Sequence, residues 1–434
     1  MVDIKDDLDR IIDQVKKNQD NHVNLLDEGL RASLTSLDGF QDWIFDWMDE
    51  FGMKAERFNV EMEELKNQPA YRKTLEEDPS KLRTGSNVLG SYEGGGKNEG
   101  VLLYGHADKK PVTFEYAENH KKLEEKDGKL YGPGIADDVS GLTSMLSSIK
   151  VLDELNIKPA GDVMVASVLG KQMGVFGTYG LVTKFGPMDG AIYAHPEESG
   201  AGLSELKMCT SGLVEFHITV EGEPPKHSDP TQTIFANNAV NAIDKGSYVY
   251  TKLLEWAEEM DSKYFNKGLE ELTGQSFVLC FSNVEAGDID KVNKIPTECV
   301  LRGTICFPPE AELESVQAGF EKEFEKIINE DSWLNKDRAR FQWGDMITDS
   351  AQADENSSFL NLAKDTLAEL KGEEPEYYYG HAASDIRYPM LYWDAEAFGV
   401  GPTAGDIGKE NEWVEKEEYL ETIAAIACML ANTD

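Results

Sequence analysis

The chain has no run of about 18 consecutive apolar residues, which excludes a membrane-spanning helix of ordinary length. Positive charge is scarce: 42 lysines and arginines face 81 aspartates and glutamates, a formal net charge of −39. Nucleic acids and anionic membranes need clustered cationic side chains, so neither is expected as a partner. Such an acid excess fits an ordinary acidic protein or a saline cytoplasm, although the basic residues are mostly lysine, which an extreme halophile should lack. Cysteine is sparse too. Cys209, Cys280, Cys299, Cys306 and Cys428 are odd in number and lack the close pairing of a metal-ligand motif, so they are expected as reduced core residues. The first residues, Met1-Val2-Asp3-Ile4-Lys5-Asp6-Asp7, are too acidic for a secretory signal, and a cytoplasmic location is the expectation. Gly94-Gly95-Gly96 has no Lys-Ser/Thr pair or helix start after it, so it is expected as a turn between strands rather than a phosphate cradle.

The 434 residues suffice for two domains with their own cores. Up to about residue 60 the apolar positions follow helical spacing: Leu8, Ile11, Ile12 and Val15, then Leu25, Leu26 and Leu30, then Phe40, Trp43, Ile44 and Trp47. Leu102-Leu103-Tyr104, Val163 to Leu169 and Gly190 to Ala194 are short apolar runs, expected as buried strands, with a helix over 139–155 between the first two. Alternating strands and helices predict an α/β domain with a mainly parallel mixed sheet flanked by helices. From about 209 the texture changes. An alternating strand at Leu213 to Val220, a helix at 233–258, strands near 275–285 and 298–307, a helix at 310–329 and a strand near 339–344 predict a βαββαβ, ferredoxin-like insertion. The expected division is a discontinuous catalytic domain over 1–208 and 349–434 and an inserted lid and dimerisation domain over 209–348.

The chemistry starts at Gly105-His106-Ala107-Asp108, just past the apolar run 102–104, where open α/β sheets place their ligands. Imidazole nitrogen and carboxylate oxygen suit zinc, manganese or cobalt. Asp108 has the position of a carboxylate that orients His106. Further on, Lys129-Leu130-Tyr131-Gly132-Pro133-Gly134 leads into Asp137-Asp138, and Asp137 is placed to ligate or bridge.

Together these segments resemble the zinc-dependent family of aminoacylases, carboxypeptidase G, carnosine-type dipeptidases and acetylornithine deacetylase, and the resemblance runs from about residue 85 to the C-terminus. In that family two metals share a bridging aspartate, and one of them is also held by the His of His-x-Asp and a later Asp or Glu. His106, Asp137 and Glu197 match these positions. His195 departs from the pattern and is expected beside the metal or as an extra ligand. The family's second metal needs a Glu-Glu-x-Gly-x-x-Gly motif, whose first glutamate is the general base, and a C-terminal histidine. Here the motif reads Lys171-Gln172-Met173-Gly174-Val175-Phe176-Gly177, and Gly408 stands where the histidine would be. Every position specific to one metal is lost while those of the other remain.

The resemblance therefore implies one divalent ion per chain, zinc or manganese with cobalt as a further choice. Lys171 is expected in the vacated volume, its ammonium replacing the missing charge. Candidates for the missing base are Glu198, His195, His381 and Lys171. His381 lies in Gly380-His381-Ala382-Ala383-Ser384-Asp385, which matches a substrate-facing loop of the family. His227 matches a histidine that crosses a homodimer to stabilise an oxyanion in the partner's site, and Asn293-Lys294-Ile295-Pro296 matches as well. Cys306 stands where relatives commonly carry arginine, which leaves Arg302 or Arg387 to recognise a substrate carboxylate. The expected activity is metal-dependent hydrolysis of a carbon–nitrogen bond, an amide or activated amine, in a small molecule. The competing readings are a catalytically silent member that binds a ligand or partner, and a non-hydrolytic enzyme reusing the pocket.

Overall fold

The structure is a computed structural model, described here for residues 4–65, 86–96, 100–109, 121–171, 176–196 and 199–433. Its largest sheet has eight strands in the order Lys54–Phe58, Asn87–Tyr92, Val163–Val168, Val101–His106, Gly190–Ala194, Glu396–Val400, Glu205–Lys207, Glu376–Tyr378. The four central strands, from 163–168 to 396–400, run parallel. Their residues are almost wholly buried, as expected of strands covered on both faces. The antiparallel strand Asn87–Tyr92 adds to one side and makes the sheet mixed.

Helices cover the sheet because their apolar faces have nowhere else to go. Ser140–Glu154 and Lys416–Asn432 are buried along most of their length and share one core with the N-terminal helices Ile4–Lys17, Gln19–Thr35 and Leu37–Glu50. The helical spacing of the first fifty residues is thus realised. It stops short of residue 60: Lys54–Phe58 is a strand at the sheet edge, with three exposed residues among its five, and its polarity conceals it in the sequence.

His22 shows what this packing does to a polar group. It is 2% exposed, and burial, opposed by Glu154, pushes its pKa down to about 4. The unfolded chain, with a histidine pKa of about 6.5, takes up a proton that the fold refuses. Stability from a neutral His22 is therefore complete above about pH 6.5 and falls away as the pH drops toward 4, by on the order of 3 kcal/mol. His22→Asn should flatten this part of the pH–stability curve in urea unfolding. Equal slopes for variant and wild type would refute the assignment.

A second sheet, ordered Val278–Ala286, Glu298–Phe307, Gly212–Glu221, Ala339–Thr348, is antiparallel throughout. With helices Ala242–Lys263 and Leu313–Glu330 on one face it has the βαββαβ order and its own core around Phe216, Trp256 and Phe320. The first helix starts later than its apolar spacing suggests, because Gln232–Asn238 forms a 3-10 segment and Asn241, whose side chain accepts from the Ile243 N–H, caps the helix proper. The two chain crossings between the sheets lie side by side: Cys209–Thr210 pairs with Ala351–Gln352. Next to them Ser211 bridges Ala382, the Ala383 N–H donates to the Ser211 carbonyl at 3.1 Å, and the Ser384 N–H donates to Thr210 Oγ1 at 2.8 Å. No described helix is long and apolar enough to cross a membrane.

Candidate metal centre

Three chain segments converge where adjacent parallel strands end. His106 is the last residue of its strand, His195 follows the neighbouring strand directly, and Asp137 comes from the turn ahead of helix Ser140–Glu154. Close approach of that helix depends on Gly141, where a Cβ would lie 2.0 Å from the Ala194 carbonyl oxygen. Gly134, with φ +76°, sets the preceding turn, and the Asp137–Asp138 peptide is cis.

All three side chains are buried, and one ligand atom from each lies within 4.8 Å of the others. His106 Nε2 is 2.9 Å and His195 Nε2 3.4 Å from the same oxygen, Asp137 Oδ1. Each ring has its other nitrogen at a backbone carbonyl: His106 Nδ1 is 2.7 Å from that of Asp108, and His195 Nδ1 2.9 Å from that of Pro196. If those nitrogens donate, both Nε2 atoms present lone pairs to a carboxylate. Such an arrangement calls for a cation. His106 Nε2 is indeed buried without a hydrogen bond of good geometry. Burial opposes charge on His106, but the carboxylates of Asp137, Asp138 and Asp108 outweigh it and raise its pKa to about 10, so without a metal a proton fills the gap. Burial also opposes charge on Asp137, yet the two histidines hold it well below the usual carboxylate range. Two imidazoles and one carboxylate are the donor set of single-zinc hydrolases, and this geometry fits such an ion.

Asp108 acts differently from the expectation. Its carboxylate lies 3.8 Å from His106 Nδ1 and accepts the N–H groups of Gly170 and Lys171, while its main-chain oxygen meets the ring. A main-chain acceptor two residues along is closer to the ring than the carboxylate can come while holding that neighbouring loop. His195, expected beside the metal or as an extra ligand, is the third member of this cluster. Glu197 and Glu198 lie outside the described residues, as does Gln172. Lys171 Nζ is 3.5 Å from Asp385 Oδ1, and the fully buried Asp385 also accepts the Thr178 hydroxyl at 2.6 Å. His381 is brought in as well, its ring centroid 6.0 Å from that of His195. His227 is not: it sits exposed on the inserted unit, stacked on Phe235 with centroids 3.9 Å apart. Arg302 is held at the surface by Asn283 and Glu285, whereas Arg387 is buried and donates to the Ser384 carbonyl.

Three contributors escaped the sequence reading. Glu412 accepts the N–H groups of Ala136 and Asp137 at 2.7 and 2.8 Å, fixing the aspartate turn, and burial followed by the charge of Asp137 raises its pKa to about 7. Its place four residues after Gly408, the position matched to the family's C-terminal histidine, was the available signal. Asp138 receives the His106 N–H at 3.2 Å, and burial pushes its pKa well above the carboxylate range. Lys207, fully buried beside His195, had no motif to mark it.

Known proteins extend this picture. The chain is 26% identical over 352 residues to N-formyl-4-amino-5-aminomethyl-2-methylpyrimidine deformylase of Halalkalibacterium halodurans, covering 74% of this chain and 77% of that protein. The Bacillus subtilis enzyme of the same name is 23% identical over 332 residues, covering 73% and 69%. Aminopeptidase PepT from Bacillus cereus shares the fold, with a TM-score of 0.72 at 16% identity over 95% of this chain and 98% of that one. The sequence pattern of peptidase family M20/M25/M40 matches residues 102–432. With that match over most of its length and a buried donor cluster at its strand ends, the chain belongs to peptidase family M20/M25/M40 and is a metal-dependent hydrolase of carbon–nitrogen bonds in small molecules.

Proposed function

We propose that this hydrolase removes a small acyl group from an amine at a mononuclear site, with one zinc or manganese ion held by His106, Asp137 and His195. The carrying observation is the pair of Nε2 atoms aimed at one buried carboxylate oxygen. Glu197, matched to a ligand by resemblance, is the candidate for a further donor. A divalent ion in such a site supplies Lewis acidity toward a carbonyl and toward water.

The protein's own residues do the rest. His381, beside His195, is assigned the proton transfers, a task suited to imidazole near neutrality. Glu198 is the alternative if its side chain reaches the same space. Lys171 is assigned an electrostatic role, since a lysine paired with a buried aspartate is poorly placed to accept a proton. A small acyl group is favoured by the two relatives named deformylases. Cys306, where family members commonly carry arginine, argues against anchoring a substrate carboxylate at that strand end. His227, exposed and outside its own chain's donor cluster, suits a role across a homodimer formed through the inserted unit.

The test is turnover of N-formyl, N-acetyl and N-succinyl amines by protein stripped with chelator and reloaded with zinc or manganese. Activity on the smallest acyl group, restored at a plateau near one ion per chain, is expected, with light scattering giving twice the chain mass. A plateau at two ions would refute the mononuclear site, a monomeric active enzyme would refute the role of His227, and no turnover by loaded protein would favour the silent-homologue reading.

A further inference from the structure

Lys207 ends the strand Glu205–Lys207 and is fully buried, a costly place for an ammonium unless its donors are used. Donors of Lys207 meet one metal-site segment. Nζ lies 2.6 Å from the Pro196 carbonyl oxygen and 3.4 Å from that of His195, both acceptors, and 3.2 Å from His195 Nδ1, a contact of charge rather than a hydrogen bond when that nitrogen gives its proton to Pro196. Two carbonyl acceptors call for N–H donors, which an ammonium supplies. The fold makes room for the stem at Gly399, on the adjoining strand, where a Cβ would sit 3.0 Å from Lys207 Cδ.

We infer that Lys207 is a positioning residue that fixes His195 from behind while weakening it as a donor, so that the two imidazoles of the site are polarised in opposite senses. The inference rests on reading His106, Asp137 and His195 as the ligand set. A metal-bound histidine ordinarily gives its outer N–H to a carboxylate or carbonyl, and this partner raises the basicity of the ring. His106 follows that rule, with a carbonyl at 2.7 Å and the Asp108 carboxylate at 3.8 Å behind it. His195 has a carbonyl at 2.9 Å that it shares with an ammonium, which draws on the same oxygen and sets positive charge behind the ring. A weaker donor neutralises a bound cation less, at the expense of affinity, and leaves more of its charge to act on substrate.

The inference is tested by competing zinc between the protein and a chromophoric chelator, for wild type, Lys207→Met and Lys207→Gln. Lys207→Met removes both charge and donor, and Lys207→Gln retains a donor without the charge. With charge as the acting element, Lys207→Gln binds zinc about tenfold more tightly than wild type, within the range of outer-partner effects on metal sites. Turnover of the loaded variant falls, and the acid limb of its pH profile moves to higher pH. Zinc affinity unchanged or weaker in a Lys207→Gln protein that melts as wild type does would overturn the inference. Tighter binding by both variants supports it. Tighter binding by Lys207→Met alone would assign the effect to the hydrogen bond and overturn the role of charge. Absence of zinc binding by wild type would instead remove the ligand set beneath it.

Discussion

Asp137→Asn protein, dialysed against excess zinc, should retain well under one ion per chain and lose at least ~10³-fold in turnover, the equivalent of about 4 kcal/mol of transition-state stabilisation. The substitution keeps the shape of the side chain while withdrawing the one charge that both Nε2 atoms face. It also withdraws the leading reason why His106 holds a proton up to about 10, so the metal-free variant loses its substitute cation as well. The fold around the turn should persist, since Glu412 holds it through backbone N–H groups that the substitution does not touch. Elemental analysis decides the matter, and a ratio near one ion per chain in the variant would sink the ligand assignment.

The largest expected loss of stability comes from Asp385→Ala. Asp385 is fully buried and the Lys171 side chain is only 14% exposed, so removing the carboxylate strands an ammonium in a poorly solvated place and leaves the Thr178 hydroxyl without its acceptor. Breaking a buried pair from one side costs about 3–5 kcal/mol. Replacing both partners with apolar groups is a different experiment, because no unpaired charge remains. Lys171→Met combined with Asp385→Leu should recover most of that loss in urea unfolding, the remaining ~1–3 kcal/mol belonging to the Thr178 hydroxyl left without its acceptor. A single Asp385→Ala variant as stable as the double one would show that Lys171 does not depend on this partner.

Much of the architecture was legible because burial writes its period into the sequence. The central strands appear as continuous apolar runs and the inserted sheet as alternation, and both periods survive in the fold. The edge strand Lys54–Phe58 was not legible, since five residues of which three are exposed and only Phe58 is buried carry neither signal. At the site, His106 and Asp137, which the fold brings together, stand out in the sequence because the chemistry constrains residue type at fixed spacing. His195 joins that cluster, and past a strand end no periodicity marks such a residue in advance. Lys207 and Asp385 were beyond reach, because their significance lies in partners brought to them only by the sheet and by the 380–385 loop.

The clasp between Cys209–Thr210 and Ala351–Gln352 has a mechanical consequence. Two crossings bonded side by side define one axis for motion of the inserted unit, and Leu272 reaches Gly380 beside it. The same clasp grips residues 382–384 through Thr210 and Ser211, and that stretch lies between His381 and Asp385. Rotation of the inserted unit about this axis therefore pulls on the segment carrying the proposed proton carrier and the counter-charge of Lys171. Linkage of this kind would let occupancy at one end of the molecule alter the alignment of reactive groups at the other through a pair of two-residue strands and the loop they hold.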